Sequence, residues 1–218
     1  MRLRKVKNAL EKINSYPNIV IQNPTDYIGK WHSFFKNDNP IYLEIGMGKG
    51  KFIIEHARRN PNINYIGLEI AESVLVRAVE KLIDSPLENL ILIHEDAFVL
   101  NTIFEKGEID KIFLNFSDPW PKSRHTKRRL TCKAILDEYS HVLSTDGTIE
   151  MKTDNRKLFE FSLQEFVLNN WPISKLSLNL HEDETDIITT EYEDKFVSKG
   201  NVIYFIEVEN NGKKLWYV

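Results

Sequence analysis

Ile41-Tyr-Leu-Glu-Ile-Gly-Met-Gly-Lys-Gly50, running into Lys51-Phe-Ile-Ile-Glu-His-Ala-Arg-Arg59, is the stretch on which the fold turns. Ile41–Ile45 reads as a short buried strand and Lys51–Arg59 as a helix. Three of the chain's nine glycines stand within the five residues between them. Glycine there lets the backbone turn tightly and come close to a ligand. The spacing Glu44-x-Gly46-x-Gly48-x-Gly50 differs from the G-x-G-x-x-G of dinucleotide folds.

The same alternation continues outward. Asn64–Glu69 predicts a second strand, and Ala71–Asp84 a helix with Val74, Leu75, Ala78, Val79 and Leu82 on one stripe. Leu90–Ile93 is a third strand leading to Glu95-Asp96-Ala97, and Ile112–Phe116 a fourth. A helix over Thr131–Leu143 passes through Asp146-Gly147 into a fifth strand, Thr148–Thr153. Lys157–Asn169 is amphipathic. Lys175–Leu180 and Val202–Val208 read as closing strands, antiparallel neighbours at one edge. Strands alternating with helices predict an α/β, Rossmann-like fold, here a mostly parallel sheet of seven strands with helices on both faces.

Length and composition set the bounds. A chain of 218 residues fits one domain with a full core. Residues 41–218 are expected to form it, with residues 1–40 as a basic, partly mobile N-terminal extension. The formal charge of −3 hides segregation: residues 1–12 carry Arg2, Arg4, Lys5, Lys7 and Lys12 against Glu11 alone. Residues 181–194 carry seven acids and no Lys or Arg. Such a distribution permits a nucleic-acid partner that the net charge would not suggest. Cys132 is the single cysteine, so neither a disulfide framework nor a cysteine-based zinc site is expected. The six histidines show no metal-ligand spacing, and no apolar run is long enough for a bilayer. The expectation is a cytoplasmic monomer or homodimer without a metal.

Acids fall at the predicted strand ends. Glu44 lies in the first strand's last turn, Glu69 ends the second, Asp96 follows the third and Asp118 follows the fourth. All four should line the edge outside the carboxyl ends of the strands, where open α/β sheets bind ligands. A phosphate there would be repelled by Glu44, and the loop lacks the Gly-Lys-Ser/Thr ending of a P-loop. A nucleoside carrying positive charge fits a ring of carboxylates better, and S-adenosylmethionine supplies a ribose, an ammonium and a sulfonium. Glu44, Gly46, Gly48, Glu69, Asp96 and Asp118 are the expected cofactor contacts.

The fourth strand ends at Asp118-Pro119-Trp120-Pro121, where two prolines forbid further ladder or helix and are expected to hold the chain extended. Lys122, Arg124, Lys127, Arg128, Arg129 and Lys133 follow without an acid among them. A basic run beside an acid and an indole suggests chemistry on a polyanion, since solvated faces usually mix signs.

Together these residues resemble the bacterial tRNA (guanine-N7-)-methyltransferase family. The resemblance is carried by Leu43–Gly50, Gly67-Leu-Glu69, Phe116–Lys122 with Arg124-His-x-Lys-Arg-Arg129, Lys152-Thr-Asp154, and Thr190-Glu-Tyr-Glu193, in order over about residues 41–208. The first two motifs would fit many methyltransferases; the Asp118–Lys122 segment with its basic tail and Thr190-Glu-Tyr-Glu193 are the specific ones. The resemblance implies a class I methyltransferase fold, transfer from S-adenosylmethionine with S-adenosylhomocysteine as product, and a guanosine of the tRNA variable loop as acceptor. Asp118 is then expected to be the catalytic acid. Lys122, Asp154, Thr190, Glu191, Tyr192 and Glu193 are expected at the acceptor, the last four as a lid. Arg124, His125, Thr126, Lys127, Arg128 and Arg129 are expected on the RNA. Three alternatives stand beside this reading. An exocyclic-amine methyltransferase would show a compact Asn/Asp-Pro-Pro-aromatic element. A non-enzymatic RNA-binding subunit would have lost the strand-end acids. A nicotinamide dehydrogenase would need a different glycine spacing.

Overall fold

Apolar residues two apart on successive strands force a sheet with two greasy faces, and the architecture follows from covering both. The computed structural model describes residues 6–210. Its strands are β1 (Val20–Ile21), β2 (Ile41–Ile45), β3 (Asn64–Leu68), β4 (Leu90–Ile93), β5 (Ile109–Asn115), β6 (Leu143–Thr153), β7 (Ile173–Ser177) and β8 (Tyr204–Glu209). They form one sheet in the order β1-β4-β3-β2-β5-β6-β8-β7. The first six are mutually parallel; β8 runs antiparallel between β6 and β7. The α/β architecture with a mostly parallel sheet is the one expected, with eight strands where seven were expected. The addition is β1, which pairs Val20 with Leu92 and Ile21 with Ile93 and so covers the free edge of β4. Two residues are too few to show a period in sequence.

The helices are α1 (Ala9–Asn14), α2 (Trp31–Phe35), α3 (Lys51–Arg59), α4 (Glu72–Asp84), α5 (Lys133–Val142), α6 (Arg156–Leu168), α7 (Leu180–Asp183) and α8 (Glu191–Val197). One face of the sheet, presenting Ile41, Leu43, Ile112, Leu114, Ile149 and Met151, is covered by α2, α5 and α6. The other, presenting Tyr65, Leu90, Leu92 and Phe113, is covered by α1, α3 and α4. Gly50 is required by that packing, because a Cβ there would stand 2.9 Å from the Cβ of Ala78 on α4.

Residues 6–40, expected as a partly mobile extension, are folded onto both faces. Trp31 is wholly buried and its indole N–H donates to the carbonyl of Ile103 at 3.0 Å. On the opposite face Lys12 of α1 pairs with Glu80 of α4 at 2.7 Å. Arg2, Arg4 and Lys5, with residues 211–218 of the expected domain, lie outside the described residues. Asp146-Gly147, read as a turn before the fifth strand, lies inside β6. Its register against β5 jumps between Ile109–Leu143 and Lys111–Thr148, so the extra residues bulge out while pairing resumes.

Candidate active site at the carboxyl edge of the sheet

Because β2 to β6 are parallel, their carboxyl ends all open on one edge. The chain runs outward from β2 to β4 in one direction and from β5 to β6 in the other, so the switch point lies between β2 and β5. Two cavities meet there. One, of about 580 Å³, has Glu69, Ile70, Asp96, Phe98, Asp118 and Trp120 in its wall. The other, of about 510 Å³, has Glu44, Met47, Gly48, Thr190, Tyr192 and Phe196. Gly46, Asn115 and Phe116 belong to both.

Gly46 and Gly48 have φ of 72° and 61°, a conformation side chains resist, and a Cβ at either would meet nothing within 4 Å. The loop is therefore a bare backbone cradle with open space above it. Glu69 fixes its shape by accepting from the amides of Gly48 at 3.0 Å and Ala71 at 2.8 Å. Burial still raises the Glu69 carboxyl above its ordinary value, against those donors. Glu44 is fully buried, and its Oε1 accepts from Asn115 Nδ2 at 2.9 Å. Its Oε2 has no partner. Desolvation pushes the Glu44 carboxyl up to about 8, although the Asn115 bond and the Lys152 ammonium oppose the shift. A buried carboxyl oxygen without a partner is thus left beside the glycine cradle, in the wall of the second cavity. Asp96 accepts from the amide of Phe98 at 3.1 Å, capping the 3₁₀ turn Ala97–Thr102.

Past β5 the chain does not stay extended. Phe116 and Trp120 have φ of 52° and 41°, so Asp118-Pro-Trp-Pro121 is a sharp, strained turn. Asp118 is exposed at the cavity wall on that turn. The basic residues beyond it form a 3₁₀ helix, Ser123–Arg128, tied by Thr126 Oγ1 donating to Ser123 O at 2.7 Å. Lys122, Arg124 and Lys127 are exposed, and the Arg128 guanidinium lies 4.8 Å over the Trp120 ring. On the far side Thr190 caps α8. Its Oγ1 accepts from the amide of Glu193 at 2.9 Å, and Glu193 Oε2 accepts from the amide of Thr190 at 3.3 Å. Tyr192 stacks on Phe196 with centroids 4.1 Å apart, and its hydroxyl lies 3.4 and 3.5 Å from the carboxylate oxygens of Asp154.

A family model described as "Putative methyltransferase" matches residues 38–206. The tRNA (guanine-N(7)-)-methyltransferase of Geobacillus sp. (strain WCH70) is 52% identical over 210 residues, 96% of each chain. The protein of that name from Bacillus cytotoxicus (strain DSM 22905 / CIP 110041 / 391-98 / NVH 391-98) is 50% identical over 96% of this chain and 97% of its own. This chain belongs to the tRNA (guanine-N(7)-)-methyltransferase family. Among solved structures, the 16S rRNA methyltransferase KamB superposes with a TM-score of 0.64 at 12% identity, over 83% of this chain and 92% of its own, a likeness of fold.

Within this family member the structure brings Glu44, Gly46, Gly48, Glu69, Asp96 and Asp118 to one edge, with Tyr192 in the wall of the second cavity and Asp154 behind its hydroxyl. Three of the residues expected at the acceptor or the RNA have partners within the fold. Glu193 is fully buried, and its carboxylate is committed to Lys152 Nζ at 3.3 Å and His181 Nε2 at 2.9 Å, so it anchors α8 from beneath. Glu191, in the wall of the second cavity, pairs with Lys81 at 2.5 Å. Arg129 donates to the carbonyls of Pro119 and Trp120 at 3.0 and 3.1 Å instead of standing free in the basic strip. Two polar residues outside the expected set support the site: Asn115, in the wall of both cavities, and Lys152, buried beneath α8. Asn115 ends an apolar run that reads as plain core, and Lys152, at 4% exposure, follows a strand residue where a lysine normally reaches solvent. The quoted Lys152-Thr-Asp154 motif was the available signal.

Proposed function

We propose that this chain transfers the methyl group of S-adenosylmethionine to N7 of a guanosine in tRNA, with the variable loop as the target. One observation carries the reading. An acid-lined cavity at the strand switch point opens through Asp118 and Trp120 onto an exposed basic 3₁₀ helix. The family membership supports it.

The residues present suit the cofactor. The unpartnered Glu44 Oε2 is an acceptor for an ammonium group, and Gly46 and Gly48 leave room for a ligand against the backbone. Glu69, held by two amides, retains oxygen lone pairs for ribose hydroxyls. S-adenosylmethionine, when bound, supplies an electrophilic methyl on sulfur. Guanine N7 is an unprotonated lone pair on the base's major-groove edge, so no residue has to remove a proton from it. Alignment is then the main task of the protein. As the base gains positive charge, a carboxylate accepting from its N1–H and exocyclic amine stabilises that charge. Asp118 takes this role. Asp154, held by Tyr192 and by Asn201 Nδ2 at 3.3 Å, is the second acid assigned to the acceptor. Lys122, Arg124, Lys127 and Arg128 hold phosphate. Water activation is not required, and the proposed mechanism includes no metal. None of the described helices is long and apolar enough to cross a membrane.

The test is incubation of the purified protein with unmodified tRNA and radiolabelled S-adenosylmethionine, followed by nucleoside analysis. Label in 7-methylguanosine is the expected result. Label confined to another nucleoside, or none, overturns the proposal.

A further inference from the structure

The turn that presents Asp118 cannot hold itself. Pro119 and Pro121 lack amide hydrogens, so two of the donors that would close a turn are missing. Trp120 between them sits at φ 41°, which a bulky residue adopts only when its surroundings impose it. Among the described residues, the carbonyls of Pro119 and Trp120 accept from no backbone amide. Both accept instead from one side chain nine or ten residues ahead. Arg129 Nε donates to Pro119 O at 3.0 Å and an Arg129 terminal nitrogen donates to Trp120 O at 3.1 Å. The same guanidinium lies 4.3 Å over the ring of Phe161, on α6. The turn is therefore fastened to a helix packed beneath the sheet. Arg124, Lys127 and Arg128 are exposed, whereas Arg129 is half-buried.

We infer that Arg129 is a positioning residue: its fork, braced on Phe161, holds the Asp118–Pro121 turn in the strained form that sets Asp118 at the cavity wall. The planar two-nitrogen geometry is what the site uses. A lysine would keep the charge yet could not reach both carbonyls in one plane. Arg128, stacked on the Trp120 ring, stays available for RNA on the outer side.

The inference rests on the methyl-transfer reading for its kinetic arm and is independent of it for its structural arm. The structural arm labels the protein with 5-fluorotryptophan and assigns Trp120 by its loss in W120F. In R129K the Trp120 fluorine resonance should shift or broaden, while those of Trp31 and Trp171 stay in place. An unmoved Trp120 resonance in R129K overturns the inference whether or not the protein methylates tRNA. In the kinetic arm, kcat of R129K on tRNA should fall by about tenfold to a hundredfold, the size expected for a displaced reacting group. Its tRNA Kd and the salt slope of that Kd should stay near wild type. Lysine rescuing kcat, or a shallower salt slope in R129K with kcat retained, would make Arg129 a phosphate contact. Where R129A loses the fold, R129K with a retained thermal transition carries the comparison. Failure of wild-type protein to form 7-methylguanosine strikes the functional reading and leaves the fluorine result to decide the clamp.

Discussion

Two carboxylates at the same edge behave differently because their surroundings do. Glu44 is buried with one donor for two oxygens, whereas Asp118 stands exposed on a turn. The folded-state value of Glu44, about 8, lies above its ordinary 4.5. Its contribution to stability is therefore complete below the unfolded value and is lost as pH rises from about 4.5 to about 8. His56 acts in the opposite sense. Buried against Phe52 and Phe113 and held near 4, it favours the fold above 6.5 and loses that contribution as pH falls toward 4. The difference between wild type and E44Q isolates the first group. Calorimetry of the ligand-free proteins should show the wild-type Tm falling relative to that of E44Q between pH 5 and pH 8. Parallel Tm profiles would count against the buried carboxyl. For Asp118 the expectation is kinetic. D118N keeps the shape and loses the charge, so kcat should drop by about a hundredfold or more with little change in tRNA Kd, as for a contact strengthened in the transition state. Unchanged kcat would remove Asp118 from the chemistry.

At the scale of the element, α8 is a short helix strapped across the second cavity by partners from three places. Lys51 of α3 pairs with Asp194, Lys81 of α4 with Glu191, and Lys152 of β6 with Glu193. The first two pairs are exposed and each is worth little. The third is buried, with Lys152 also donating to Ile188 O at 2.8 Å and lying 5.1 Å over the Phe52 ring. Removing Glu193 would leave that ammonium buried without its counter-charge, at a cost of roughly 3–5 kcal/mol. The cap at Thr190 is worth about 1 kcal/mol. E193A should therefore lower stability in a denaturant titration several times more than T190A, and K81A should barely move it. E193A as mild as K81A would mean that the strap is held elsewhere. The acidic composition of residues 181–194 suggested a solvated loop or lid; the buried lysine that converts one of its acids into an anchor comes from a strand 41 residues away.

For the whole molecule, charge segregation does what net charge does not. The described surface places the exposed cations Lys122, Arg124, Lys127 and Arg128 beside the acid-lined cavity of a protein whose formal charge is −3. Each phosphate contact releases counterion and contributes roughly 0.7–0.9 to the salt slope of binding. R124Q combined with K127Q should flatten the slope of log Kd for tRNA against log salt by roughly 1.5. An unaltered slope would reassign the strip to solubility. The amino-acid sequence by itself determined the parallel sheet, its strand ends and the edge on which Glu44, Glu69, Asp96, Asp118 and Asp154 gather. Those depend on hydrophobic period and on where glycine or proline stops an element, and both are local properties of the chain. It determined the family as well, through motifs spaced along one strand order. Only the tertiary structure decided which polar side chains remain free for a ligand. Glu193 and Arg129 are engaged by partners within the fold, Thr190 caps α8 from the cavity wall, Glu44 keeps one oxygen unpaired, and residues 6–40 supply two α-helices, a strand and a buried indole. A hydrogen bond or ion pair needs its partner within about 3 Å, and that partner is set by packing between distant segments, which no local pattern encodes.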